Sequence, residues 1–265
     1  MREKNDRRFC EWERENETRR KKRNVLQLKD ISYEVDGKRI LDHVSIDLND
    51  HFVVITGPNG SGKSTLAKVI AGILTPTEGQ ILLDGEDITG CSITERARKG
   101  ISYAFQQPVR FKGLTVRDLM SLAAGKEANF AELCDLLSEV GLCAKDYIMR
   151  DLDDSLSGGE LKRIEIAMAL ARNAKLSIFD EPEAGIDLWS FSKLIKVFEK
   201  MVRMTQGNIL LISHQERILD IADKIIYLKD GQIAQYDTKE NILPDILNST
   251  KAGTCRVLDQ KLKEE

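Results

Sequence analysis

From residue 25 onward apolar and polar side chains alternate in short runs: VLQLKDISYEV, KRILDHVSIDL and HFVVITG, the first two separated by the turn pair Asp36-Gly37. Alternation with a period of two, bounded by turn formers, predicts β-strands. The third run differs. Its residues 52–55 are all apolar, so that strand is expected to be buried on both faces, and it ends directly in a glycine-rich loop followed by a helical pattern over 64–73. A Pro/Gly turn at 75–79 leads to a strand pair turning at Asp84-Gly85, then to a strand at 101–105. Over 108–154 β-rich runs give way to helical spacing, with Leu133, Leu136, Leu137 and Val140 on one stripe, which predicts a helical subdomain. Three more strands are expected at 176–179, 209–212 and 224–228, separated by helical segments. Strands alternating with helices predict an α/β fold built on a parallel sheet.

Composition narrows the class. Of 265 residues 42% are hydrophobic and 31% charged, enough apolar material for a sizeable core. No apolar run approaches the roughly 18 residues of a membrane helix, so no membrane span is expected. Forty basic and 43 acidic residues leave a net charge of −3, so no nucleic acid partner is expected. Residues 1–24 are mostly charged, lack an apolar signal region and read as a tail attached to a cytoplasmic protein; their basic run at 19–23 is open to a solvated role or to contact with an anionic partner. Residues 248–265 read as a polar C-terminal tail, which leaves 25–247 as one domain, its helical subdomain at about 108–160. The five cysteines, at 10, 91, 134, 143 and 255, form no Cys-x-x-Cys pair, so reduced thiols are expected rather than disulfides or a zinc site. His43 and His51 fit no motif and read as ordinary surface or loop histidines.

The glycine-rich loop carries the strongest chemical signal. Gly57-Pro58-Asn59-Gly60-Ser61-Gly62-Lys63-Ser64-Thr65 satisfies the P-loop pattern between a buried strand and a helix. Glycines let successive backbone N–H groups point at phosphate oxygens, and the helix N-terminus adds the positive end of its dipole. Lys63 would sit between β- and γ-phosphates of ATP, and Ser64 would offer a hydroxyl to Mg²⁺. A second apolar strand ends in Asp180-Glu181, which resembles a Walker B element: Asp180 would help hold Mg²⁺ and Glu181 would act as general base. A third segment, Leu156-Ser157-Gly158-Gly159-Glu160, stands before a helical run and offers a further helix N-terminus for an anion.

With that third segment the chain resembles the ATP-binding cassette (ABC) ATPases over most of residues 25–240. The resemblance implies a P-loop fold of ABC type, with a parallel-sheet core, an antiparallel β subdomain and an inserted helical subdomain. It implies ATP hydrolysis with Mg²⁺ by two cassettes packed head-to-tail, Ser157, Gly158, Gly159 and Glu160 of each completing the site on the other's P-loop. By position in the family pattern, Tyr33 matches the aromatic that stacks on adenine, Gln106 the Q-loop glutamine and Mg²⁺ ligand, His214 the switch histidine that contacts the γ-phosphate, and Asp187 a residue of the loop at the dimer interface.

The run Asp180-Glu181-Pro182-Glu183-Ala184-Gly185-Ile186-Asp187-Leu188-Trp189 bears on the subfamily. Glu183 and Gly185, together with the tract 104–109 and Lys162-Arg163 after the signature, resemble the SUF-type ATPases of iron–sulfur cluster assembly, which implies a SufB-type scaffold as partner. Pro182 and Ala184 depart from the SUF pattern, and Asp180-Glu181-Pro182 with FKGLTVRDL at 111–119 resembles the cassettes of transporters, whose partner is a separate membrane permease.

Overall fold

The computed structural model describes residues 25–127, 129–153 and 155–244, except the side chains of residues 188 and 189; the expected terminal tails, with Cys10 and Cys255, lie outside the described residues. The chain begins with an antiparallel pair, β1 (Leu26–Val35) and β2 (Lys38–Leu48), followed by the short β3 (Phe52–Thr56) and helix α1 (Lys63–Ala71). Then come β4 (Glu78–Leu83), β5 (Glu86–Asp87), α2 (Ile93–Lys99) and β6 (Ile101–Ala104). A helical region follows with β7 (Phe111–Thr115), α3 (Val116–Ala124), α4 (Phe130–Glu139), α5 (Ala144–Tyr147), β8 (Asp151–Leu152) and α6 (Gly158–Arg172). The chain then returns through β9 (Leu176–Asp180), α7 (Leu188–Met204), β10 (Asn208–Ile212), α8 (Glu216–Leu219), β11 (Lys224–Lys229) and β12 (Gln232–Asp237).

Two main sheets form. One is antiparallel with order β2-β1-β4-β5; the other has order β12-β11-β3-β10-β9-β6, parallel except for the edge pair β11–β12. The apolar runs of the central strands fill both faces of the second sheet. Along β3, Phe52 and Val54 join a cluster with α6 and α7, while Val53 and Ile55 join one with α1 and the antiparallel sheet. The same alternation separates Ile209 and Leu211 from Leu210 and Ile212 on β10. Each such side chain contributes about 1.5–3 kcal/mol on burial, which is why the strands carry no polar face.

Register decides what this sheet displays. Ile212 pairs with Ile55 on one side and Asp180 on the other, so β3, β9 and β10 end at one level and deliver residues 57, 181 and 213–214 to a common carboxyl edge. Open parallel sheets bind ligands at such an edge.

Two local features differ from the sequence expectation. The segment 108–154 contains strands after all: β7 and β8 pair as a small antiparallel sheet. Both are short, and their pairing joins distant parts of the subdomain, so no local β-rich run announces it. The first helix starts at Lys63 and stops at Ala71, because Gly72 takes a left-handed φ of 79° and caps it. His43, exposed as a surface histidine should be, stands within β2 at φ 52°, an uncommon backbone for a strand, where its Nδ1 meets Asp30 Oδ1 at 2.7 Å; His51 is in a bend, as expected of a loop histidine, its Nε2 2.7 Å from the Val202 carbonyl. The Leu133–Leu137 stripe is buried as expected, with Val140 just past the end of α4.

Beneath α1 lies Arg96 of α2, whose side chain is 1% exposed. Its Nη1 donates to the carbonyls of Val69 and Ile70 at 2.7 and 2.9 Å, Nη2 to Thr89 at 2.8 Å and Nε to Cys91 at 3.1 Å. A helix end leaves four carbonyls without intrahelical partners. Arg96 takes two of them and places a cation at the negative end of the dipole of the helix that opens at the P-loop.

Candidate functional site

At the end of β3 the loop 57–62 curls back over the sheet edge, with Gly57, Gly60 and Gly62 at φ of 146°, 80° and 99°. At Gly57 a Cβ would lie 1.9 Å from the Leu228 carbonyl oxygen, so only glycine fits there. At Gly62 a Cβ would come within 2.9 Å of Ile40 and Leu41, residues of β2; Leu41 pairs with Tyr33 on β1, which sets the half-buried Tyr33 one strand away from the loop. Gly62 is the N-cap of α1 and supplies no side-chain cap, leaving the first N–H groups of that helix open to an anion. Pro58, Asn59 and Gly60 are exposed, Ser61 is buried and Thr65 is half-buried.

Lys63 is 5% exposed and folds onto the loop, donating to the carbonyls of Gly57 and Pro58, each at 2.9 Å. Burial holds its pKa below the usual lysine value, against the pull of Glu181 and Asp180. Ser64 donates its hydroxyl to Asp180 Oδ1 at 2.8 Å, and Tyr103 donates to Asp180 Oδ2 at 2.7 Å. Both carboxylate oxygens are thereby oriented. Burial first, then the bond to Asp180, raises the Tyr103 pKa, so the phenol stays a donor. Ser64 Oγ and Asp180 form an oxygen-only donor set beside the phosphate loop, which suits a hard cation such as Mg²⁺.

Glu181 follows at φ 45°, an uncommon conformation for a side-chain-bearing residue. Its carboxylate accepts a bond from Gln106 Nε2 at 2.7 Å through Oε2, and its Oε1 lies 3.7 Å from His214 Nε2. Burial, then the charge of Lys63, holds the His214 pKa below its ordinary value while Glu181 pulls it upward. Thus Lys63, Ser64, Asp180, Glu181, Gln106 and His214 come together at the sheet edge.

The signature residues form a separate group. Ser157 is the N-cap of α6 in a reciprocal cap, its amide donating to Glu160 Oε2 at 2.7 Å and its hydroxyl accepting from the Glu160 amide at 3.3 Å. Glu160 also accepts from the Tyr147 hydroxyl. Burial works against its charge, but the bonds from Tyr147 and Ser157 prevail and bring its pKa down to about 2. Ser157 and Gly158 are exposed, Gly159 half-buried. Asp187 caps α7, accepting from the Ser190 amide at 3.0 Å, and is exposed.

Sequence reasoning assigned no role to Tyr103, Ser213 or Lys162. Tyr103 and Ser213 stand in motifs quoted above or beside them, but only strand pairing brings them to Asp180 and to the turn after β9. Lys162, 3% exposed on α6, donates to the Phe105 carbonyl at 2.6 Å and so holds the residue preceding Gln106. Phe105 in turn borders an apolar groove of about 420 Å³ between the sheet and the helical subdomain, where Ile93, Val109, Phe111 and Leu122 are also exposed.

The family model described as ABC transporter matches residues 41–184, more than half of the chain. The chain is a member of the ABC transporter ATPase family. An ATP-hydrolysing cassette of this family is therefore what the sheet edge serves. The cassette is 36% identical over 226 residues to "Uncharacterized ABC transporter ATP-binding protein MJ0035" of Methanocaldococcus jannaschii, covering 82% of this chain and 90% of that one. It is 34% identical over 228 residues to "Probable ATP-dependent transporter ycf16" of Pyropia yezoensis, covering 80% and 90%. Among solved structures it resembles the dimeric post-hydrolysis state of the ATP-binding cassette MJ0796 bound to ADP and Pi, with TM-score 0.69, 25% identity and coverage of 81% of this chain and 98% of that one. The observed β sheets and inserted helices are the ABC cassette fold, and cassettes of the family form dimers. Among the described residues no helix is long and apolar enough to cross a membrane.

Proposed function

We propose that this cassette is a cytoplasmic, Mg²⁺-dependent ATPase that works as a head-to-tail homodimer and drives conformational change of a SufB-type scaffold in iron–sulfur cluster assembly. For hydrolysis the supporting observation is the convergence of Lys63, Ser64, Asp180, Glu181, Gln106 and His214 at one sheet edge. The loop 57–65 binds the phosphates of ATP, Lys63 exchanging its carbonyl partners for β- and γ-phosphate oxygens, and Tyr33 stacks on adenine. Ser64, Asp180 and Gln106 hold Mg²⁺, which when bound neutralises charge on the phosphates. Glu181 orients a water for attack on the γ-phosphorus and takes its proton as the bond to the β-phosphate oxygen breaks, giving ADP and phosphate; His214 donates to the γ-phosphate. In the dimer Ser157, Gly158 and Gly159 bring an α6 N-terminus to the partner's γ-phosphate, with Glu160 fixing that turn and Asp187 at the interface.

The scaffold reading is carried by Glu183 and Gly185 after the Walker B pair, where transporters read otherwise. The groove beside Phe105 suits a protein partner, scaffold or permease alike: contiguous exposed apolar surface marks a protein contact, and Phe105 is one residue from Gln106, so an occupant there reaches the site mechanically. A second reading, the ATP-binding subunit of a transporter acting on a membrane permease, is favoured by Asp180-Glu181-Pro182 and by the transporter names of both relatives. Anaerobic affinity isolation of the tagged chain separates them. Recovery with a soluble scaffold, iron and sulfide is the expected result; recovery only in membranes with a multi-span protein contradicts it.

A further inference from the structure

Directly after the Walker B pair the chain turns, the Ala184 amide donating to the Glu181 carbonyl at 3.0 Å, and this turn carries Glu183 inward against the end of β10. There its Oε1 accepts the proton of the Ser213 hydroxyl. Ser213 is fully buried, and its hydroxyl oxygen also accepts the Gln215 amide at 3.0 Å. A hydroxyl has one hydrogen. A carboxylate can only accept, so that hydrogen is aimed at Glu183 while the oxygen receives the Gln215 N–H, and the turn 213–215 that presents His214 is tied to the turn that presents Glu181. Backbone bonds fix only the bases of the two turns, Glu181 N to Ile212 O and Ser213 N to Ile55 O, each at 3.1 Å. Beyond them the Glu183 carboxylate ties the loops through the Ser213 hydroxyl, beside the 3.7 Å approach of His214 Nε2 to Glu181 Oε1.

The carboxyl is costly where it stands. Among the described residues its Oε2 is buried without a hydrogen-bond partner, and burial pushes its pKa up, against the bonds from Ser213 and nearby backbone amides. A buried polar atom left unpartnered lowers stability, so packing alone gives no reason for a glutamate here.

We propose that Glu183 is a positioning residue for hydrolysis: through Ser213 it sets the turn that holds His214 opposite Glu181. The inference rests on the assignment of Glu181 and His214 to the hydrolytic site and adds the element that aligns them. Phosphoryl transfer is sensitive to such alignment, since displacement by about 1 Å costs on the order of a hundredfold in rate.

The test is steady-state ATPase kinetics on purified full-length variants, with thermal unfolding measured in parallel. Glu183→Ala and Ser213→Ala are each expected to lower kcat about tenfold or more with KM for ATP within about twofold, the pattern of lost alignment rather than lost binding. The double variant is expected to lose less than the product of the two single losses, because the Glu183–Ser213 bond is common to both while each also removes bonds of its own. Glu183→Gln, whose amide oxygen still accepts the Ser213 proton, is expected to restore most of the rate. The unfolding midpoint of Glu183→Ala should fall by no more than about 4 °C, as relief of the buried oxygen offsets most of the cost of leaving the Ser213 hydroxyl without its acceptor. Parental kcat in Glu183→Ala overturns the proposal, as does a Glu183→Gln variant no better than Ala, or a rate loss tracking a large fall in the midpoint. His214→Ala serves as control. If it too turns over at the parental rate, the assignment of the site fails and the proposal with it; if it is slow while Glu183→Ala is not, only the proposal fails.

Discussion

Replacing Arg96 with methionine keeps the length of the side chain and removes the guanidinium that closes the base of the P-loop helix. Four carbonyls then lose a donor: Val69 and Ile70 at the end of α1, Thr89 and Cys91 in the turn before α2. Val69 retains the Gly72 amide at 3.2 Å, which leaves three carbonyls to account for. A buried polar group without a partner costs about 1–3 kcal/mol, and loss of the cation removes a favourable interaction with the helix dipole of about 1 kcal/mol. Against this, the guanidinium no longer has to be desolvated; that penalty is what holds its pKa below the usual arginine value. The balance is a destabilisation of about 3 kcal/mol, or a fall of about 6–12 °C in unfolding midpoint for a domain of this size. Lysine at 96 keeps the charge but not the flat fork, so Arg96→Lys should lose about half as much. Differential scanning calorimetry of the three proteins without nucleotide is the assay. A midpoint for Arg96→Met within 2 °C of the parent, about the effect of 1 kcal/mol, would refute the reasoning and mean that water reaches these carbonyls.

Other consequences are equally direct. Tyr103→Phe removes only the hydroxyl on Asp180 Oδ2 and should weaken divalent cation binding several-fold, seen as a raised dissociation constant for Mn²⁺ by electron paramagnetic resonance with the fold unchanged; unchanged affinity would deny Tyr103 its orienting role. Gly57→Ala sets a Cβ 1.9 Å from a backbone oxygen and should abolish nucleotide binding in a fluorescent ATP-analogue titration, whereas parental affinity would show that the loop is held differently. The His214 imidazole should titrate below its ordinary value by NMR. Lys63→Met should move that value up and Glu181→Gln move it down, because Lys63 lowers and Glu181 raises it. Since the folded-state pKa is depressed, His214 favours the unfolded chain as pH falls through the unfolded value of about 6.5 toward the folded one, so stability should decline over that window and less so in His214→Asn. Movements in the opposite sense would contradict the electrostatics of the site.

How much of this was legible beforehand depends on how local each signal is. The strands β3, β9 and β10 announce themselves because both of their faces must be apolar, and the loop 57–65 announces itself because its left-handed turns call for glycines at close, motif-like spacing. The short mixed run at 232–237 carries no clean alternation, although β12 lies there as an antiparallel edge on a parallel sheet. The strands β7 and β8 were missed because five and two residues, one a glycine, gain strand geometry only from each other. Arg96, Tyr103 and Ser213 were invisible as functional or structural centres for a different reason. Their partners lie on other elements, and no spacing within the sequence states that Ile212 will pair with Asp180 and bring Ser213 toward Glu183. Glu183 was conspicuous as a subfamily mark, but its direction, inward to Ser213, belongs to the fold.

Sedimentation equilibrium of the Glu181→Gln variant with saturating Mg-ATP tests the central claim most directly, because it needs phosphate binding at Lys63, arrested hydrolysis at Glu181 and a signature acting across the interface at once. The expected result is nucleotide binding without turnover and a species of twice the 29.9 kDa monomer mass, lost when ATP is withdrawn or when Ser157→Arg is added. Hydrolysis at the parental rate, or a monomer at saturating ATP, would contradict it.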